Sequence, residues 1–113
     1  RLVAEIAAED PDVDIDIGLR DWVEAAETTG DSAIASRSRD AIAAETGAEP
    51  PFTGFTGITD ARYYINDAKI PTVILGPGTL KVAHMPDESI GVDELVTGAR
   101  AYARLFVDFL GVR

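Results

Sequence analysis

The sequence predicts an α/β fold, and three observations carry that prediction. Val13-Asp14-Ile15-Asp16-Ile17 alternates strictly between apolar and acidic residues, which is the period of a strand with one face in water. Ile70-Pro71-Thr72-Val73-Ile74-Leu75 is a short, mostly apolar run closed by Gly76, the pattern of a strand covered on both faces. Helical periodicity precedes, separates and follows these runs. The order helix, strand, helix, loop, strand, helix is that of stacked α/β layers.

Each element has a local reason. Leu2, Val3, Ile6 and Ala7 recur at helical spacing, and Asp10-Pro11 ends the run. No capping residue precedes this helix and Arg1 already lies within it, so the sequence is expected to be cut from a longer one. In the first strand Val13, Ile15 and Ile17 face a core while Asp14 and Asp16 face water, and the run can extend toward Trp22 and Val23. Asp12, Asp14 and Asp16 do not make a calcium loop. The required Gly is replaced by Ile17 and the closing Glu by Val23.

A second helix starts at Gly30-Asp31-Ser32, with Asp31 or Ser32 as its cap, and stops at Thr46-Gly47. Its buried stripe is thin: Ile34, Ala41 and Ile42, interrupted by Ser38 on the same face. Glu49-Pro50-Pro51 is a loop, and Gly54 and Gly57 keep the backbone open as far as Asp60. Ala61 to Asn66 suits a short helix headed by Asp60. Asp93 caps the last helix, whose core stripe is Leu95, Ala99, Tyr102, Phe106 and Phe109, and Gly111 stops it.

Composition narrows the function. The 113 residues carry 10 Lys+Arg against 20 Asp+Glu, a net charge of −10, and that field repels phosphate backbones. Nucleic acid is therefore not an expected partner. With 46% hydrophobic residues a packed core is affordable, and the absence of Cys removes disulfides, thiolate metal sites and thiol nucleophiles. No apolar run reaches the roughly 20 residues that span a bilayer, and no signal peptide opens the chain. The expectation is a cytoplasmic protein with no membrane association.

Residues able to do chemistry gather between Phe55 and Gly91. His84 is the only His. It follows the second strand and a Gly76-Pro77-Gly78 turn, at the kind of sheet edge where open α/β folds place their sites. A neutral imidazole suits zinc, and Asp87 and Glu88, three and four residues on, stand close enough in sequence to orient it or to ligate alongside it. A hydrogen-bonded loop histidine is the other reading of the same pattern. Gly76-Pro77-Gly78 lacks the third Gly of a dinucleotide fingerprint and the Gly-Lys-Ser/Thr ending of a P-loop. A tight turn is the preferred reading, with an anion cradle as the alternative. Asp60 and Arg62 can pair or anchor a loop, and Arg62 can grip a carboxylate through two hydrogen bonds; a structural role is favoured for both. Ser36, Ser38 and Ser89 lack any nucleophile context.

In combination, Gly57-Ile58-Thr59-Asp60-Ala61-Arg62, Ile70-Pro71-Thr72-Val73, Gly76-Pro77-Gly78 and Ala83-His84-Met85-Pro86-Asp87-Glu88, followed by the closing helix, resemble the dinuclear-zinc amidohydrolases and metallopeptidases. This is the family of acetylornithine deacetylase, succinyl-diaminopimelate desuccinylase, aminoacylase and bacterial glutamate carboxypeptidase. The resemblance is close over residues 52 to 111. It implies a three-layer αβα catalytic domain, of which residues 30–113 are the C-terminal part. Residues 1–29 are then the last helix and strand of an α+β lid that mediates homodimerisation. It further implies that His84 is the last metal ligand, and that Gly57, Thr59 and Asp60 line the substrate pocket. Glu88 helps shape the turn that carries His84. Ile58 stands where members usually have a second Gly, and its branched side chain narrows the pocket or alters the loop.

The same resemblance implies two zinc ions, with cobalt as an alternative metal, and hydrolysis of the amide bond of N-acyl amino acids or small peptides. The remaining ligands, an upstream His-x-Asp motif, a bridging Asp and a Glu-Glu pair whose first member is the base, have no counterpart in these 113 residues. A catalytic zinc normally takes three protein ligands, so this chain alone is expected to be inactive. The competing expectation is a non-catalytic binding or dimerisation module.

Overall fold

Helix boundaries follow the local signals closely. The computed structural model describes residues 2–10, 12–18 and 20–111. Among them, α1 runs Leu2–Glu9, α2 Ala33–Thr46 and α3 Val92–Leu110, with a single π-helical turn at Tyr63–Asp67. Arg1 and Pro11, expected to open and to close the first helix, lie outside the described residues. Ser32 is the N-cap of α2: its backbone is extended and its Oγ accepts the Ala35 N–H at 3.4 Å. Gly47 ends the helix at φ +75, a left-handed conformation that a Cβ would strain, and donates its N–H to the Ala43 carbonyl at 2.8 Å.

The N-terminus of α3 lies two residues before the expected cap. Gly91 is the cap and donates to the Glu94 carboxylate at 3.3 Å, while Asp93 stands in the first turn. Both acidic groups face the positive end of the helix dipole. Gly111 caps the other end, as expected, by donating to the Val107 carbonyl. The short helix expected over Ala61 to Asn66 is present in altered form. One α-helical step at Ala61 and Arg62 widens into the π turn, which closes with an Ala68 N–H to Tyr63 carbonyl bond of 3.0 Å.

The α/β expectation is not met. Among the described residues there is no strand and no sheet, so neither the three-layer αβα arrangement nor the lid strand is formed. Val13 to Ile17 is irregular chain, with Ile15 and Ile17 both exposed rather than turned to a core. Ile70 to Leu75 is equally without a ladder. Its hydrogen bonds run from the Ile70 N–H to the Tyr64 carbonyl, from the Thr72 N–H to Thr28 Oγ1, and from the Tyr102 hydroxyl to the Leu75 carbonyl. Alternation and β-branching make a segment able to pair. A strand still needs a second backbone alongside to take its N–H and C=O groups, and neither run has one here.

Packing is concentrated where α2 meets α3. The buried side chains are small ones on α2 (Ala35, Ser38 and Ala41), facing Ala101 and Leu105 of α3. Arg104 of α3 reaches across to Glu45 of α2, with Nη2 3.0 Å from Oε1. The stripe expected to form the core of α3 is therefore displaced. Tyr102 is half-buried, whereas Leu95, Ala99, Phe106 and Phe109 are exposed. The helix is apolar on two faces, and the small-residue face of α2 admits only the one with Ala101 and Leu105. A sheet on the other side would have covered the larger residues, and none is present among the described residues.

The result is an extended molecule. Its radius of gyration is 20.2 Å and its extents are 68 × 36 × 22 Å, against about 13 Å for the radius of gyration of a compact domain of this length. No described residue of α1 is buried.

Ser38 is the exception in the helix interface. It is 5% exposed, and its hydroxyl has no hydrogen-bond partner. An unpaired buried hydroxyl costs about 1 kcal/mol or more, and Ala is also the better helix former. Ser38→Ala is expected to stabilise the α2–α3 unit by about 1 kcal/mol, read as a higher midpoint in denaturant. A lower midpoint would show that the hydroxyl has a partner in solution.

Candidate functional site

The loop that leads to the π turn is organised by local bonds. Phe55 folds back so closely on Gly57 that a Cβ there would lie 2.5 Å from the ring, so the bare backbone at Gly57 is what lets the ring lie down. Ile58 follows, 71% exposed, so its branched side chain fills no space within the described fold. Thr59 Oγ1 accepts the Ala61 N–H at 3.3 Å, and the Asp60 carbonyl accepts the Tyr63 N–H at 3.0 Å. These two bonds start the helical turn. The Asp60 carboxylate is left exposed.

Asp60 and Arg62 do not form an ion pair. Arg62 instead donates from Nη2 to the Tyr63 hydroxyl at 2.5 Å, and its guanidinium lies 4.4 Å from the centre of the Tyr63 ring. Asn66, within the π turn, ties this region back to the Ala25 carbonyl at 3.2 Å.

His84 sits at the top of a series of tight turns closed by Ala83 to Leu80, Met85 to Val82 and Glu88 to Met85 backbone bonds. Its φ is +62, a left-handed conformation unusual for a residue with a side chain. The Glu88 carboxylate holds that conformation in place by accepting the His84 backbone N–H at 3.0 Å. The imidazole projects from an exposed residue.

Upstream, the Gly76-Pro77-Gly78 turn is docked on α3. The Tyr102 hydroxyl bonds the Leu75 carbonyl, and Pro77 lies so close to Gly98 that a Cβ there would be 2.9 Å from two of its ring carbons. Gly78 has φ +89. The reading of Gly76-Pro77-Gly78 as a tight turn fits this geometry.

A cleft of about 480 Å³ opens between the end of α2, this turn and the first half of α3. Ile42, Ala101 and Tyr102 line it, with Glu45, Asp93 and Glu94 among the acidic groups. None of Gly57, Thr59, Asp60 or His84 borders it. Among the described residues no hydrogen bond or ion pair joins His84 to the Gly57–Asp60 loop, and no group of three or more His, Asp or Glu is gathered closely enough to hold a metal ion. One exposed imidazole is a single ligand, short of the three protein ligands that a catalytic zinc normally takes. The sequence-predicted residues are thus placed on two separate turns, each organised by its own short-range bonds.

Two features escaped the sequence reading. The first is that Arg62 has no carboxylate partner among the described residues, although Asp60 stands two residues away. The second is the left-handed backbone at His84, which no composition or spacing signal marks.

Among the described residues, no helix is long and apolar enough to cross a membrane. Residues 9–108 match the model of peptidase family M20/M25/M40. No curated protein and no solved structure matches the chain.

Proposed function

The chain belongs to peptidase family M20/M25/M40, and from that premise we propose that it is part of a metal-dependent hydrolase that cleaves the amide bond of N-acyl amino acids or small peptides. That it derives from a hydrolase, and that such hydrolases generally bind metal ions, comes with the family. The amide substrate and the roles of individual residues are the proposal.

The observation that carries it is the family match across residues 9–108, which includes the Gly57–Arg62 loop and the turn bearing the only His of the sequence. His84 would serve as one ligand of a zinc or cobalt site. The other ligands and the general base would come from outside these residues, since the described ones gather no ligand set. This chain's own contributions are then positional. Glu88 holds the backbone that presents His84, α3 holds the turn leading to it, and Gly57, Thr59 and Asp60 present a loop to the substrate. A bound divalent metal supplies Lewis-acid activation of water in hydrolases of this kind.

Residues 1–29 would belong to a lid that pairs two subunits, a reading supported by the apolar Ile17 and Trp22 standing exposed. The chain alone would be inactive, because one histidine cannot hold a catalytic metal.

Metal analysis and amide hydrolysis, measured before and after chelation, test the proposal. The complete enzyme is expected to release amino acid from N-acetyl-L-methionine, to lose that activity when metal is stripped, and to regain it with zinc or cobalt. Undiminished turnover in the stripped protein would overturn the metal role.

A further inference from the structure

The cleft between the end of α2, the Gly76–Gly78 turn and α3 has the dimensions of a small-molecule site. Its volume is about 480 Å³, and such sites usually measure about 300–1,000 Å³. Ile42, Leu75 and the Tyr102 ring give it an apolar lining. The Tyr102 hydroxyl is already engaged by the Leu75 carbonyl, so the ring is what Tyr102 offers to an occupant.

The charged groups on its wall are all of one sign. Glu45, Asp93 and Glu94 line the cleft, and no Lys, Arg or His does. Their oxygens are incompletely used. Both bonds from Arg104 fall on Oε1 of Glu45, a side chain only 17% exposed, and Oε2 has no partner among the described residues. Glu94 uses only Oε2, which accepts the Gly91 N–H. The Asp93 carbonyl accepts the Thr97 hydroxyl, while its carboxylate has no partner among the described residues.

We propose that this cleft binds a small organic cation, a protonated amine carried on an apolar body. The body would displace water from Ile42, Leu75 and the Tyr102 ring. The ammonium brings three donors and no acceptor, which matches the carboxylate oxygens left over. The face of the Tyr102 ring can also attract the cation. A cleft walled by charges of one sign and by apolar surface concentrates counter-ions, whereas a carboxylate or phosphate ligand would meet three like charges. The proposal is independent of the hydrolase reading.

Calorimetric titration of the chain with three probes of one shape tests it. These are 4-phenylbutylamine, 4-phenylbutanol and 4-phenylbutyrate, which are positive, neutral and negative at neutral pH. The amine is expected to bind saturably at one site, the alcohol more weakly and the acid least. Added salt should weaken the amine alone. Asp93→Asn is a nearly isosteric change at an exposed position. It should weaken the amine by about 2- to 5-fold, the range for an exposed ion pair, and leave the alcohol unchanged. Thr97→Phe adds a ring to the cleft wall and should abolish binding of amine and alcohol alike. If that variant does not fold, Asp93→Asn and the probe series still decide.

Equal affinity for the three probes, or no saturable binding of the amine, would overturn the proposal. So would amine binding untouched by Thr97→Phe, which would reflect general attraction to a chain of net charge −10. Amine binding that falls as protein concentration and molecular mass rise together would assign the cleft to a second copy of the chain, and would overturn it too. Amide hydrolysis plays no part in this experiment, so the ligand site and the hydrolase reading fail separately.

Discussion

Replacing His84 by Asn in the complete enzyme is expected to reduce metal content and amide hydrolysis together, with turnover falling by more than about 100-fold, the upper range for losing merely an outer partner of a metal ligand. Asn is the informative substitution because of the backbone. His84 has φ +62, and Asn tolerates that region far better than Ala does. The Glu88 carboxylate can keep its bond to the backbone N–H whatever side chain follows. His84→Asn therefore removes the imidazole and preserves the turn, so a loss of metal is assigned to the ring rather than to a collapsed loop. His84→Gly is the complementary control: it relaxes the backbone and also removes the ring. Retention of metal and turnover in both variants would return His84 to the status of a hydrogen-bonded loop residue.

The second large effect is expected at Gly98. A Cβ at this position would lie 2.9 Å from both Cβ and Cγ of Pro77 and 3.3 Å from its Cδ. Those atoms belong to a rigid ring in a turn also held by the Tyr102 hydroxyl on Leu75, so the contact cannot be relieved by a rotamer change. Gly98→Ala sets this overlap against the helix propensity that Ala gains over Gly, about 1 kcal/mol. Gly98→Val forgoes most of that gain and adds bulk. It should destabilise by about 1–3 kcal/mol, the usual cost of overpacking, and lower the melting temperature by roughly 5–15 °C. The same substitution should detach the Gly76–Gly78 turn from α3, which would appear as faster amide exchange around His84. An unchanged melting temperature with unchanged exchange would mean that the turn does not dock on α3 in solution.

Both expectations depend on contacts of different kinds, and the difference decided what the sequence could reveal. The Glu88 bond to His84 spans four residues, and the family resemblance already marked Glu88 as shaping that turn. The Gly98 contact with Pro77 joins residues twenty-one apart in sequence, and no local pattern identified either as a packing partner. Arg62 shows the same limit from the other side. A spacing of two made a pair with Asp60 plausible, and the folded loop instead turned Arg62 onto Tyr63.

The sequence by itself determined both ends of α2, the end of α3 and the family. Ser32, Gly47 and Gly111 act where the pattern located them, because helical hydrogen bonds and their caps close within about four residues. The motifs between Gly57 and Glu88 sufficed for the family resemblance, and the match over residues 9–108 shows it. Only the tertiary structure decided whether Val13–Ile17 and Ile70–Leu75 become strands, and which apolar face of α3 is covered. Strand formation needs a neighbouring backbone, and burial of a helix face needs a surface shaped to receive it. Neither partner is specified within the segment itself. Here α2 offered a face of small residues that accepted Ala101 and Leu105, and the described fold supplied no sheet for the rest.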